Sequence, residues 1–155
     1  MSEFEAIEKV RMGGLREEED WEALLDSVLA AFDCPTGTVH TASSAEGPLI
    51  LQAQRGIPEE LMGVVTEIPM GKGIAGAAAA NRDAVQLCNL QEDLGGVANP
   101  DARKTEVSGS LAVPMLDGEE LKGVLGIGKF EPYEFGEEET EKLWAVAEMV
   151  ARMTT

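Results

Sequence analysis

Few side chains here suit nucleophilic, metal-ligating or proton-transfer chemistry near neutral pH: one histidine, His40, and two cysteines, Cys34 and Cys88. Their spacing matches no zinc-type ligand set, so neither a metal nor a cofactor is expected. Two cysteines are too few for a disulfide framework. Cys34 follows a helical stripe and Cys88 lies in a strand-like segment, and both read as buried structural thiols. No Ser/His/Asp or Cys/His arrangement can be assembled, because no base partners a nucleophile. His40 sits mid-strand on the same face as Thr38. Two readings stay open for it: a residue facing a pocket, or a strand histidine held by a hydrogen bond. Gly71-Lys72-Gly73 could offer backbone N–H groups to an anion at a helix N-terminus, and a plain bend between strand and helix explains the same residues. Further on, Asn89, Gln91, Asp93, Asn99, Asp101, Arg103, Lys104 and Ser108 could orient a small polar ligand or could simply be solvated. Asp93 and Asp101 are too far apart for a calcium loop.

These groups belong to a chain of 155 residues, one domain's worth. Apolar residues make up 44% and charged residues 26%, a soluble globular balance. Twenty-nine acids against twelve bases leave a net charge of −17. Nucleic acid and anionic membrane surfaces are disfavoured as partners, since both need a basic face. Solubility is the simplest reading of the charge. The first residues, MSEFEAIEKV, lack the basic and apolar regions of a secretory signal. No run approaches the ~18 apolar residues of a membrane span. A cytoplasmic protein with reduced thiols is expected.

The elements that position these residues follow from periodicity. Phe4, Ile7 and Val10 mark a short amphipathic helix ended by Gly13-Gly14. Trp21, Leu24, Leu25, Val28, Leu29 and Phe32 form one unbroken helical stripe, with acids in the first turn and Pro35 beyond its end. Residues 36–42 and 49–55 read as a hairpin, 64–69 as a third short strand, 74–80 as an alanine-rich helix and 84–88 as a short strand. Residues 89–107 form a long polar loop of the kind used as lids or binding loops. Strands at 110–116 and 121–130 flank an Asp117-Gly118 hairpin signal. A helix from 137 to 153 closes the chain, with Leu143, Trp144, Ala147, Val150 and Ala151 as its main stripe and Val146, Met149 and Met153 widening it. Hairpins without βαβ alternation predict an α+β domain with an antiparallel sheet.

Four motifs in order resemble the GAF domains: Leu49-x-Leu51-x-Ala53-x-x-Gly56-Ile57-Pro58; Ile68-Pro69-Met70-Gly71-Lys72-Gly73-Ile74-Ala75-Gly76; Ser110-Leu111-Ala112-Val113-Pro114-Met115 with Leu121-x-Gly123-Val124-Leu125-Gly126-Ile127; and Phe135-Gly136-Glu137-Glu138-Glu139. The resemblance covers about residues 17–153. It implies a profilin-like sheet of five or six antiparallel strands. Terminal helices lie on one face, and a short helix plus the long loop lie on the other, where small ligands bind. Residues 15–155 then form a single such domain, and residues 1–14 are a candidate dimerisation helix. The enzymatic branch, the free methionine-(R)-sulfoxide reductases, is similar in size. However, Ala75 stands where that branch has a cysteine, Val97-Ala98-Asn99-Pro100-Asp101 where it has another, and Ser110, Gly126 and Gly128 where it has carboxylates. A methyl group cannot replace a thiolate, so a non-catalytic protein is expected. Against the cyclic-nucleotide-binding members, Lys129, Phe135 and Glu139 match while Gly128 and Thr140 depart. A Lys129–Glu139 ion pair tying the last strand to the last helix is what that match implies. Chromophore-binding members need a Cys-His pair that this sequence lacks.

Alternation places Leu111, Val113, Leu125 and Ile127 on one face of the sheet and Ser110, Ala112, Gly126 and Gly128 on the other. Small residues on the second face leave room for a ligand, unless the 74–80 helix packs down onto the glycines. The expected pocket joins these to Thr38, His40, Met70, Ile74, Ala75 and Ala78, with Leu90, Val97, Asn99 and Asp101 from the loop. The expected function is a sensory module that binds an unidentified small molecule. It would dimerise through its terminal helices and signal to a separate protein. A dimerisation adaptor with a vestigial pocket is the alternative, and an enzyme with non-standard residues stands third.

Overall fold

The helical stripe that opens the domain is buried as its spacing requires. In the computed structural model, helix α1 (Glu18–Phe32) buries Trp21, Leu24, Leu25, Val28, Leu29 and Phe32 in a single core cluster. The structure describes residues 18–42, 44, 47–59, 62–87 and 108–153. The 1–14 helix, Cys88, Leu90, Val97, Asn99 and Asp101 therefore lie outside the described residues. Asp33 ends α1 in the left-handed region at φ 53. There Cys34 N–H bonds Leu29 O at 3.0 Å and Asp33 N–H bonds Ala30 O at 3.4 Å, which satisfies two of the last-turn carbonyls of the helix.

Strands β1 (Thr36–Ala42), β2 (Leu49–Arg55), β3 (Glu67–Ile68), β4 (Val85–Leu87), β5 (Gly109–Asp117) and β6 (Glu120–Lys129) form one sheet in the order β3-β2-β1-β6-β5-β4. Every neighbouring pair is antiparallel. The β5–β6 hairpin closes through Gly118-Glu119, with Asp117 opposite Glu120 and Gly118 at φ 64, a turn conformation that favours glycine. A bulge in the β1–β2 pairing follows Val39, so that His40 faces Leu51 and Gln52 is left over.

The strand expected at 64–69 is corrected. Met62–Val65 is a helical turn, α2, and only Glu67–Ile68 pairs as edge strand β3. Thr66 explains the difference. Its amide bonds Met62 O at 2.9 Å and its hydroxyl bonds the same carbonyl, closing the turn locally against the β-propensity of the two valines.

Helix α3 (Gly73–Asn81) covers one face of the sheet, and α1 with α4 (Glu137–Met153) covers the other. Leu111, Val113, Leu125 and Ile127 enter the cluster with α1 and α4, as alternation requires. Arg55 clips β2 to α1 through Asp26 at 2.8 Å and Glu22 at 3.4 Å. Val146, read from sequence as a surplus apolar position on α4, is fully buried in this same cluster, because α4 meets the sheet over a broad face. It is thus a core residue, not a dimer contact.

Candidate functional site

Strand pairing aligns the small residues of the second face into rows. Thr38 lies opposite Gly126, which lies opposite Ala112, which lies opposite Val85. The next row is Thr36, Gly128, Ser110 and Leu87. Residues paired across a sheet share a face, so these side chains point the same way.

Helix α3 covers only part of this surface. Ala78, Ala79, Ala112, Leu121 and Val124 form a second cluster, with Met70, Ile74 and Ala75 packed against it. Ala78 is fully buried and Ala112 is 3% exposed, so the two support the site from within the packing. Gly126 differs. Among the described residues, a Cβ built there would have only Thr38 Oγ1 at 3.3 Å and the Leu111 carbonyl oxygen at 3.9 Å nearby, and no atom of α3. Among the described residues the helix packs on Ala112 and leaves the Thr38–Gly126 stretch open. Thr38, Ser110 and Gly126 are all partly exposed.

His40 stands on this face between Val124 and Leu51, two residues from Thr38. It is 1% exposed. Its Nε2 lies 2.8 Å from the Val65 carbonyl oxygen. A carbonyl only accepts, so Nε2 carries the proton and donates it. Nδ1 is then an acceptor, and among the described residues it is buried without a partner. Of the two readings left open by the sequence, the geometry shows the hydrogen-bonded strand histidine. Its partner Val65 was missed, because α2 is not visible in the residue pattern.

Burial holds the His40 imidazole below its ordinary pKa of 6.5, outweighing the opposing effect of the Val65 hydrogen bond. The unfolded chain therefore takes up this proton at a higher pH than the folded chain. Stability from this group is complete above about pH 6.5 and declines as pH falls toward the lowered folded value. Urea midpoints measured at pH 7 and pH 5 should fall further for the wild type than for His40→Gln. Equal falls would remove His40 from the acid limb.

The Gly71-Lys72-Gly73 turn is a bend. Gly71 N–H already donates to Gly76 O at 3.0 Å and Lys72 N–H to Pro69 O at 3.1 Å, which leaves these two amides no role in an anion cradle. Gly76 permits the fold-back, since a Cβ there would meet Pro69 O at 2.8 Å.

The expected Lys129–Glu139 ion pair does not form. Lys129 Nζ donates to the Asp33 carbonyl at 2.9 Å, at the negative end of α1, and sits 4.6 Å from the centre of the Tyr133 ring. Tyr133 Oη donates to Glu139 at 2.8 Å. Glu139 also accepts the Gly136 amide at 3.0 Å, reaching back across the first turn of α4 as a capping carboxylate. The last strand and last helix are therefore linked through Tyr133, with Lys129 held by the end of α1. Gln86 ties edge strand β4 to the segment before α4 by accepting Phe135 N–H at 2.7 Å.

Cys34 is buried, and burial pushes its thiol up to about 11, so it is protonated near neutral pH and a poor nucleophile. Among the described residues no group of three or more His, Cys, Asp or Glu side chains could hold a metal ion, and no helix is long and apolar enough to cross a membrane.

A family model described as GAF domain matches residues 18–153. Among solved structures, the GAF domain from a phosphoenolpyruvate-protein phosphotransferase (ptsP) of Coxiella burnetii superposes with a TM-score of 0.78 at 18% identity, covering 99% of this chain and 92% of that one. A putative GAF sensor protein from Burkholderia vietnamiensis gives 0.74 at 16% identity, covering 98% and 92%. The free methionine-R-sulfoxide reductase of Neisseria meningitidis, in complex with its substrate, gives 0.73 at 18% identity, covering 97% and 87%. At these identities the likeness is one of fold. No curated protein matches the sequence.

Proposed function

The chain belongs to the GAF domain family, and on that footing we propose that it is a non-catalytic sensory module whose small-molecule site lies on the Thr38–Gly126 side of the sheet. The observation that carries the reading is the floor at Gly126, which α3 leaves open while packing on Ala112 beside it. Ala75, Ser110, Gly126 and Gly128 supply no nucleophile or carboxylate on this face, which supports binding over catalysis. In this reading Met70, Ile74 and Ala75, which pack against the cluster holding Ala112, form one wall. The proposed output is a change passed through α1 and α4 to a separate protein in the reducing cytoplasm. A homodimer through α4 rests on the partly buried Trp144, Met149 and Met153.

The adaptor reading has one observation in its favour, the close packing of α3 on Ala112. Because Ala112 is packed, Ala112→Leu should cost about 1–3 kcal/mol by overpacking under either reading, measurable by urea unfolding. A smaller cost would mean that α3 can lift away from the sheet. Native mass spectra of the purified protein decide between the two functions. A reproducible extra mass supports the sensor, a bare dimer supports the adaptor, and a bare monomer removes the helix-mediated dimer.

A further inference from the structure

We propose that His40 is the hydrogen-bond acceptor of this site, its Nδ1 taking an N–H or O–H proton from a small, flat, uncharged molecule lying on the Thr38–Gly126 floor. The proposal rests on the site reading above and adds the ligand's chemistry to it. Three observations carry it. The bond from Nε2 to Val65 O fixes the tautomer, so Nδ1 presents a lone pair rather than a proton. Among the described residues Nδ1 is buried without a partner, and a buried polar atom left unmatched calls for a specific cause. His40 also shares the face of the open floor. It lies opposite Val124, and Thr38 and Gly126 lie opposite each other one step along that face. Neither a small-residue floor nor a buried histidine alone would indicate a ligand; here they adjoin.

The rows also limit the ligand's charge. Their polar side chains, Thr36, Thr38 and Ser110, and that of Gln54, which lies opposite Thr38 on β2, are uncharged, and Thr36 and Gln54 already bond Arg55 O and Ile57 N. A charged ligand would lose water here without a counter-charge on these rows. A flat apolar body with one donor edge suits a glycine floor beside a bare acceptor.

The chain has a single histidine, so protein labelled with 15N in the imidazole gives one pair of ring-nitrogen signals that need no assignment. At pH 7 the expected state is a protonated Nε2 and a bare Nδ1. Indole, phenol and benzamide would be added at millimolar concentration. At least one should move the Nδ1 signal while Nε2 stays in place. The matching analogue without a donor, N-methylindole, anisole or N,N-dimethylbenzamide, should bind at least about tenfold more weakly and leave Nδ1 unmoved. A proton on Nδ1, or an Nδ1 already hydrogen-bonded and unmoved by every probe, would overturn the proposal and assign the acceptor to internal structure or a buried water. Equal binding of donor and donor-free probes, abolished by Gly126→Val, would overturn the role of His40 and leave the site standing. No probe binding together with no retained mass would overturn both.

Discussion

Gly123→Ala is expected to lower stability by about 4 kcal/mol or more, among the largest effects a single methyl group can have. Gly123 lies in β6, opposite Thr41 of β1 and Met115 of β5. A Cβ there would run into the His40 carbonyl oxygen and stand 3.0 Å from both the His40 carbonyl carbon and Thr41 Cα. All three atoms are backbone of a paired strand, so no rotamer change relieves the clash. The central strands must part, and ladder hydrogen bonds are lost with them. At roughly 2–4 °C per kcal/mol for a domain of this size, the melting temperature should fall by on the order of 10 °C. Gly63→Ala is the control. Among the described residues nothing lies within 4 Å of a Cβ at that position in α2, so the change should be neutral or stabilising by up to about 1 kcal/mol. Thermal unfolding of the two variants side by side checks the argument. A Gly123→Ala melting temperature within a few degrees of wild type would mean that β1 and β6 do not approach this closely.

Gly126→Val should do the opposite, abolishing binding while keeping the fold. The residue lies three positions further along the same strand, facing the open floor. Within 4 Å its Cβ would meet Thr38 Oγ1 at 3.3 Å and Leu111 O at 3.9 Å, contacts eased by a shift of a few tenths of an ångström. Valine suits a strand, so stability should change by less than about 1 kcal/mol. The isopropyl group would occupy the volume assigned to the ligand. Affinity should fall on the order of 100-fold, since small steric changes in a shaped pocket reach that size. Native mass spectra read this as loss of the extra mass from a protein with an unchanged melting temperature. An extra mass that survives Gly126→Val would place the ligand elsewhere. Together the two glycines separate a backbone requirement from a binding requirement within one strand.

Both faces of the sheet could be read from the alternation of residues 110–130, because side-chain direction in a strand is set locally. Leu111, Val113, Leu125 and Ile127 enter the α1–α4 cluster, and Ala112 and Val124 the α3 cluster. The stripe of α1 and the hairpin at Asp117-Gly118 were legible for the same reason. Helix α2 was not, because its two valines favour a strand and one threonine hydroxyl and amide decide otherwise.

The sequence by itself determined the α+β class, the GAF resemblance, the buried stripes and the smallness of the second face. Each depends on residue type and short-range spacing, which survive without coordinates. Tertiary structure alone decided where α3 stops on that face, and hence that Ala112 is packed while Gly126 lies open. It replaced the Lys129–Glu139 pair with a relay through Tyr133, because the end of α1 arrives beside Lys129. It also gave His40 a partner twenty-five residues away at Val65 and, among the described residues, left Nδ1 without one. These outcomes depend on which distant segments meet, and no local pattern encodes the position of a backbone carbonyl from another part of the chain.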